Sequence, residues 1–300
     1  MERKFILTCE STVDLPYAYV HERNIPVIFY SYIVDGQEYV DDMGRDPEAL
    51  PRFYGFLADG KIPSTSQINE FQYEEFLEEQ LQKGDVLHIG FGTGMTPSVK
   101  NAMKAAEQLR SKYPDRKLVV IDSLCSSSGY GMLVDCAADL ADRGCTLEEV
   151  EQWVLANRQN VHHQFFSTDL QYYRRSGRMS GPTAMLGAIL NICPIMRLDD
   201  QGKIIAYSKV RGKAAAIRTT LDTMEQHAIG GRDYSGKCWI CHSNCIAEAQ
   251  EAKAALQERF PHISGEIKIC DIGTIIASHC GPGTVAVFFF GDQRAPYGKV

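Results

Sequence analysis

The feature that most limits the possible folds of this chain is the alternation of strand and helix patterns through its first half. Apolar runs at residues 4–8, 85–90 and 117–122 predict buried strands, and each is followed by a segment with helical character. Parallel strands need long crossover connections, usually helices, so this order predicts a mostly parallel sheet covered by helices. In open sheets of this kind ligands bind beyond the carboxyl ends of the strands.

The pattern changes near residue 160. Beyond it we predict a strand, a short helix, an apolar helix over residues 183–190, a hairpin around residues 200–202, and a closing strand, helix and strand arrangement. A chain of 300 residues, 44% of them apolar, can bury the cores of two medium domains. We therefore predict an α/β protein with two α/β domains. Residues 1–160 form a mostly parallel sheet with flanking helices, and residues 161–300 form a mixed α+β sheet.

Charge and hydropathy exclude several functions. The formal net charge of −7 argues against a surface for nucleic acid or anionic membranes, because both need concentrated lysine and arginine. The first residues lack the apolar region and cleavage site of a signal peptide, and no run reaches the roughly 18 apolar residues of a membrane span. We expect a cytoplasmic protein without stable membrane insertion.

Ten cysteines are scattered from Cys9 to Cys280 without the spacing of a disulfide framework. Residues 238–242, Cys-Trp-Ile-Cys-His, match a haem attachment pattern and half of a zinc site. The same residues predict a short buried strand, which would point Cys238 and Cys241 to opposite faces. No second ligand pair stands at zinc spacing, so we expect free, mostly buried cysteines, no bound metal and no cofactor.

Three segments rich in glycine and hydroxyl groups lie at residues 62–67, 90–96 and 279–284. The first is predicted to be a loop, because its proline holds the preceding residue extended and its hydroxyls compete for the backbone. The second ends at Thr96-Pro97, a predicted helix start whose free N–H groups attract anions. It is neither a dinucleotide fingerprint nor a P-loop.

The charge of these three segments indicates the class of ligand. Phosphate sites usually recruit arginine or lysine, and none lies within them. A carboxylate can be held by hydroxyls and backbone N–H groups, so a carboxylic acid is favoured. His279 can donate one more hydrogen bond, cap a loop, or act as a general acid or base. The alternative function is therefore an enzyme acting on a small acyl or phosphorylated substrate through His279.

Other chemistry is less well supported. No serine stands in the elbow motif of a nucleophile, and the histidines show no arrangement tied to a serine. Asp14, Asp122 and Asp271 each lie beside a predicted strand end, where a metal could bind. Capping and turn roles explain these three residues more simply.

The order and spacing of the motifs resemble the DegV family of bacterial fatty-acid-binding proteins across essentially the whole chain. The resemblance rests on short motifs at residues 10–16, 63–67, 121–123, 169–172, 176–180, 194–195, 209–211 and 279–283.

The resemblance implies two α/β domains with a long-chain fatty acid in a tunnel between them. It places the carboxylate at Thr65, at Thr93 and Gly94 in the second segment, and at His279. It also implies a non-catalytic role: the protein carries the acid and presents it to a separate ATP-dependent fatty acid kinase for phospholipid synthesis. Arg178 and Arg211 match the positions that face the kinase in the family.

The second segment departs from the family pattern. The family has Ser-Ser-x-x-Ser-Gly-Thr where this chain reads Gly-Thr-Gly-Met-Thr-Pro-Ser from Gly92 to Ser98. Thr93 still offers a hydroxyl, but its methyl group and Pro97 alter the turn, so we expect a changed head-group geometry.

The acyl tail would supply most of the binding energy. Burying fifteen carbons at ~0.8 kcal/mol each gives on the order of 12 kcal/mol before the entropy cost of binding. Candidate residues for lining the tail are Met132, Met185, Ile189, Ile192 and Ile276.

Overall fold

A computed structural model describes residues 3–180 and 191–296 of the chain. The predicted helix over residues 183–190, with Met185 and Ile189, lies outside the described residues. Among the described residues, no helix combines the length and the apolar character that crossing a bilayer requires.

The first half of the chain builds a parallel sheet, as the alternation of strands and helices predicts. Its four strands, in spatial order, are β2 (Val27–Ile28), β1 (Ile6–Glu10), β6 (Val86–Gly90) and β7 (Leu118–Asp122), and all neighbours run parallel. The helices of this half are α1 (Tyr17–Glu22), α2 (Ala49–Ala58), α3 (Glu70–Leu81), α4 (Ser98–Lys112), α5 (Ser127–Asp142) and α6 (Leu147–Asn157). Every residue of β6 is buried, as expected for a central strand covered on both faces.

Local sequence signals fix several of these helix ends. Asn69 caps α3 and exchanges hydrogen bonds with Gln72, and Thr146 caps α6 in the same way with Glu149. Helix α4 begins one residue later than predicted, at Ser98, because Pro97 takes the cap position with Thr96 accepting from the Ser98 N–H.

A small antiparallel sheet follows β2. It contains β3 (Ser31–Val34), β4 (Gln37–Val40) and β5 (Ser64–Thr65), with β3 in the centre. Asp35 and Gly36 both have positive φ angles, 51° and 82°, which is the turn that the sequence predicts between β3 and β4. The prediction of residues 62–67 as a loop is wrong for Ser64 and Thr65, whose backbones pair with Ile33 and Tyr32.

The second half of the chain builds a separate, mixed sheet of seven strands among the described residues. In spatial order they are β13 (Lys268–Asp271), β12 (Cys238–His242), β14 (Thr284–Phe290), β8 (Val161–Ser167), β10 (Ile192–Leu198), β11 (Ile204–Arg211) and β9 (Met179–Ser180). Its helices are α7 (Gln171–Ser176), α8 (Lys213–His227), α9 (Ile246–Arg259) and α10 (Thr274–Cys280). The predicted fold class is confirmed, and the domain boundary near residue 160 stays a prediction.

Two features of this half bear on the sequence predictions. Cys238 and Cys241 lie in β12 and pack into different hydrophobic clusters, as expected for opposite faces of a strand, and all ten cysteines are unpaired. The interpretation of residues 279–284 as a loop is wrong at its start. His279 and Cys280 form the last turn of α10, which ends where Gly281 takes a positive φ of 64°.

Helix α5 joins the two halves. It is buried along most of its length. A Cβ atom on Gly129 would lie 2.4 Å from the His163 ring, and one on Gly131 would lie 2.6 Å from the Val13 carbonyl oxygen. The two glycines therefore allow the helix to touch the mixed sheet on one side and the N-terminal half on the other.

Candidate functional site

A cavity lies between the two halves of the chain, with about 980 Å³ of empty space that is partly open to solvent. Its larger apolar side chains include Phe91, Met95, Phe165, Leu198, Ile275 and Phe288. Among the described lining residues there is no aspartate or glutamate, and Arg178 is the one arginine or lysine. The cavity is therefore apolar with a bias toward anions.

Thr65 and His279 meet at this cavity from distant parts of the sequence. The pairing of β5 with β3 fixes Thr65 opposite Tyr32, and the last turn of α10 carries His279. The Thr65 Oγ1 lies 2.9 Å from the His279 Nε2, and both residues line the cavity. The structure thus brings together two of the residues that the sequence analysis assigns to the carboxylate.

His279 is neutral near pH 7. Burial, assisted by the nearby charge of Arg178, lowers the pKa of His279 from 6.5 to about 4. A neutral ring with its hydrogen on Nε2 donates to the Thr65 Oγ1, which leaves the Thr65 hydroxyl hydrogen free to point at a ligand oxygen. The pair can then offer a neutral donor to a carboxylate.

The same features do not favour His279 as a general acid or base. A pKa of about 4 is far from neutral pH, where proton transfer is most efficient. The ring contacts the Thr65 hydroxyl, and no carboxylate among the described lining residues is available to orient it.

Two buried carboxylates hold the start of α10. Asp41 Oδ1 accepts hydrogen bonds from the Thr274 N–H at 3.2 Å and the Thr274 hydroxyl at 2.8 Å. Asp14 Oδ1 accepts from the Gly273 N–H at 3.0 Å, while its other oxygen accepts from the Ser127 hydroxyl. Burial raises the pKa of both aspartates. The capping interpretation of Asp14 therefore fits, and its contacts fix α10, which carries His279, relative to α5.

Arg178 lies at the opening of the cavity. It lines the cavity yet remains exposed to solvent, and its Nη1 donates to the Ser176 carbonyl oxygen at 2.5 Å. The Ser176 hydroxyl in turn lies 3.3 Å from the His279 carbonyl oxygen. The three hydroxyl-rich segments predict only neutral donors for the head group, because this arginine lies outside them. Arg211 lies at the exposed end of β11, and its role in docking a partner stays a prediction.

Thr93 and Gly94 are not brought to the cavity. The Thr93 hydroxyl donates to Asp122 Oδ2 at 2.5 Å, and its N–H donates to Asp122 Oδ1 at 3.1 Å. Gly94 packs so closely that a Cβ atom there would lie 2.2 Å from the Gly202 carbonyl oxygen. The residues of this segment that line the cavity are instead Phe91, Met95 and Thr96.

Some of the residues predicted to line the tail lie at the cavity and others do not. Ile276 lines the cavity. Met132 is fully buried within α5, and Ile192 lies partly buried at the start of β10, and neither is among the described lining residues. Met185 and Ile189 lie outside the described residues.

Sequence reasoning missed several lining residues. Ser66 and Gln67 neighbour Thr65 and follow from its motif, and Ser126 and Ser127 follow the end of β7, where α/β sheets bind ligands. No sequence pattern marks Phe165 of β8 and Phe288 of β14 as residues that line the cavity. Both strands are buried along nearly their whole length, so no polar and apolar alternation marks the side that faces the cavity.

Comparison of the sequence and of the structure with known proteins finds DegV family proteins in both cases. The profile of a family described as uncharacterised protein, DegV family, matches residues 4–292. A DegV domain-containing protein of Clostridium perfringens is 31% identical over 296 residues, which cover 98% of this chain and 100% of the relative.

Solved structures share the fold at lower identity. A fatty-acid-binding DegV family protein from Thermus thermophilus has a TM-score of 0.84 at 24% identity, covering 96% of this chain and 99% of that one. A DegV lipid-binding protein from Thermotoga maritima has a TM-score of 0.83 at 22% identity, covering 97% and 99%. The fatty acid kinase B3 protein of Streptococcus pneumoniae, loaded with linoleic acid, has a TM-score of 0.82 at 19% identity, covering 97% and 100%.

Proposed function

This chain belongs to the DegV family, and from that premise and the geometry of its cavity we propose that it binds a long-chain fatty acid and presents the carboxylate to a separate ATP-dependent fatty acid kinase. The observation that carries the proposal is an apolar cavity without acidic residues among its described lining, with the Thr65 and His279 pair on its wall and Arg178 at its opening.

The lining favours a carboxylate over a neutral head group. A buried anion needs hydrogen-bond donors and the absence of like charges, since desolvation without compensation is costly. The pair of Thr65 and His279 supplies a donor, and Arg178 supplies the positive charge that the described lining otherwise lacks. Ser66 and Gln67, next to Thr65, bring further polar groups to the same wall.

The apolar wall matches a long tail. At ~0.8 kcal/mol per buried CH₂, the tail contributes far more than the ~1 kcal/mol of each hydrogen bond at the head group. In this proposal the tail determines affinity, and the polar residues determine which end of the ligand reaches the opening.

The position of Arg178 supports presentation to a partner. It is exposed to solvent while lining the cavity, so a carboxylate near it is accessible to a second protein. A structural neighbour is named as a fatty acid kinase B3 protein, which supports a kinase as that partner. The low pKa of His279 supports a carrier over an enzyme that uses this residue. We place the protein in the cytoplasm, where ATP is available to the kinase.

The proposal is tested on protein purified from cells and analysed by native mass spectrometry. We expect a mass increment equal to one long-chain fatty acid, which denaturation releases and chromatography identifies. Delipidated protein should bind palmitate or oleate again. Protein without bound lipid that also fails to bind either acid would contradict the proposal.

The kinase step is tested separately. Addition of a fatty acid kinase catalytic subunit and ATP to the loaded protein should yield acyl phosphate, and the protein alone should yield none. Turnover by the protein alone, abolished in His279→Ala, would instead support the enzyme alternative.

A further inference from the structure

Three side chains able to bind a metal converge on the mixed sheet, on the opposite side from the cavity. His163 lines the cavity, and because successive residues of a strand point to opposite faces, His162 points away from it. His162 meets His227, the last residue of α8, and Asp292, which follows β14. Within the described part of the chain, this is the one group of three such side chains whose donor atoms converge within 4.8 Å of one another.

Two of the three distances between donor atoms suit a tetrahedral metal ion, and the third, between the two ring nitrogens, is within 4.8 Å. Asp292 Oδ1 lies 3.0 Å from the His162 Nε2 and 3.1 Å from the His227 Nδ1. Zinc bonds to nitrogen and oxygen are about 2.0–2.1 Å long, which places neighbouring ligand atoms of a tetrahedral site about 3.3 Å apart. The two imidazole rings stack at 5.2 Å with an angle of 25° between their planes, so both present a nitrogen to the same carboxylate.

The backbone around the cluster is fixed before any ion binds. The Asp292 N–H donates to the His227 carbonyl oxygen at 3.0 Å, and the Gly291 N–H donates to the Asn160 carbonyl oxygen at 2.9 Å. The His162 ring stacks on Phe289 at 5.0 Å, with its side chain only 5% exposed. The backbone that carries the three ligands and the His162 ring therefore need little rearrangement, which reduces the entropy cost of binding.

The exposures of the side chains leave a place for one more ligand. His227 is 30% exposed and Asp292 is 59% exposed, so solvent reaches the cluster from one side. Two histidines, one carboxylate and a water molecule form a donor set that zinc takes in proteins.

We propose that His162, His227 and Asp292 form a binding site for a divalent metal ion of the zinc class, with water at the open position. The ion binds the two ring nitrogens that face Asp292. Each ring keeps its hydrogen on the other nitrogen, and any additional proton is released to solvent.

A metal ion at this site would stabilise the contact of residues 292–294 with the mixed sheet. Two residues after Asp292, the buried Arg294 donates to the Val161 carbonyl oxygen at 3.2 Å and to the Leu124 carbonyl oxygen at 2.8 Å. A metal ion at Asp292 would hold this segment in place. The site is separate from the proposed fatty acid cavity, and neither proposal depends on the other.

The test uses full-length protein treated with a chelator and then titrated with Zn²⁺ or Co²⁺ in buffers without other metals. We expect one equivalent to bind, with the visible absorption bands of tetrahedral Co²⁺ and no thiolate charge-transfer band in the near ultraviolet. Free Zn²⁺ at ~100 times its Kd should raise the thermal midpoint by about 5 °C.

Two variants assign the binding to these residues. Asp292→Asn keeps the shape of the side chain, and His227→Gln removes a partly exposed ligand, so the second variant remains informative if the first folds poorly. Each should weaken metal binding by at least about tenfold, since a three-residue site loses one of its bonds. His262→Gln, a histidine outside the cluster, is the matched control and should bind like the parent.

Three results would overturn the proposal. They are no uptake by the parent protein, uptake that both variants retain unchanged, and a cobalt spectrum dominated by thiolate bands. The last would assign the metal to some of the ten cysteines.

Discussion

Thr65 and Thr93 lie in the two hydroxyl-rich segments of the N-terminal half, residues 62–67 and 90–96, but their hydroxyls have opposite roles. Thr65 contacts His279 and lines the cavity, whereas the Thr93 hydroxyl is occupied by Asp122 at the end of β7. Both segments look alike in sequence. A hydroxyl can donate to a ligand only when no other acceptor holds its hydrogen. The Asp122 carboxylate holds the hydrogen of Thr93, whereas a His279 ring with its hydrogen on Nε2 donates to Thr65 and leaves the Thr65 hydrogen free.

The contacts of Thr93 therefore have a structural role, and those of Thr65 have a role in ligand binding. The contacts of Asp122 shape a turn, while the pair of Thr65 and His279 keeps donor capacity for a ligand. Substitutions at Asp122 and Gly94 should therefore change stability, and substitutions at the pair should change ligand selectivity.

The largest effect is expected from Asp122→Ala. This change leaves the Thr93 hydroxyl, the Thr93 N–H and the Leu124 N–H without their acceptor, so we expect the free energy of unfolding to fall by roughly 2–4 kcal/mol. Urea denaturation measures it. Asp115→Ala, at an exposed position, is the control and should change stability by less than about 0.5 kcal/mol. An Asp122→Ala variant as stable as the parent protein would contradict the structural role of the contacts between Asp122 and Thr93.

The next effect concerns the packing of Gly94. A Cβ atom there would lie 2.2 Å from the Gly202 carbonyl oxygen, so Gly94→Ala should destabilise the protein by roughly 1–3 kcal/mol. Gly55→Ala is the matched control, because Gly55 lies within α2 with no atom within 4 Å of an added Cβ. That variant should be neutral or slightly more stable. Equal stability of the two variants would mean that the second segment relaxes easily.

Thr65→Val tests the ligand-facing segment. Loss of a hydrogen bond to a charged group should weaken binding of a free fatty acid about tenfold, while binding of its methyl ester should change much less. Thr93→Val is the matched control and should leave the ratio of acid to ester affinity unchanged. Fluorescence competition measures both ligands. Equal losses for acid and ester in Thr65→Val would reduce Thr65 to part of the scaffold.

A smaller effect concerns pH. The folded pKa of His279, about 4, lies below the ordinary 6.5, so the unfolded chain binds more protons between these values. Stability of the ligand-free protein should thus fall as pH decreases from 6.5 to 4, and His279→Gln should recover roughly 1–2 kcal/mol of that loss. Urea denaturation at both pH values measures it, with His262→Gln as the control. An unchanged pH dependence in His279→Gln would contradict the buried neutral state.

Sequence patterns were sufficient where they are local and repeated. Alternating strands and helices predicted the parallel sheet, Asp35-Gly36 predicted the first hairpin, and Asn69 predicted the start of α3. Short elements were not predicted, because the seven residues of α10 and the two of β5 are too few to show a helical or strand periodicity of apolar residues.

The site was predictable only in part, for physical reasons. Thr65 and His279 belong to recognisable motifs, whereas the engagement of Thr93 by Asp122 depends on how the loops after β6 and β7 meet. The family resemblance predicted Arg178 as a residue that faces a partner, and its place in the cavity lining follows from the tertiary fold. The same holds for His162, His227 and Asp292, which come from separate elements.

The most direct test of the account is a crystal structure of the protein with a bound long-chain fatty acid. We predict carboxylate oxygens within hydrogen-bond distance of the Thr65 Oγ1, with His279 and Arg178 nearby and the tail along Ile275 and Phe288. A carboxylate bound instead at Thr93 and Gly94, or a cavity that excludes the acid, would contradict it.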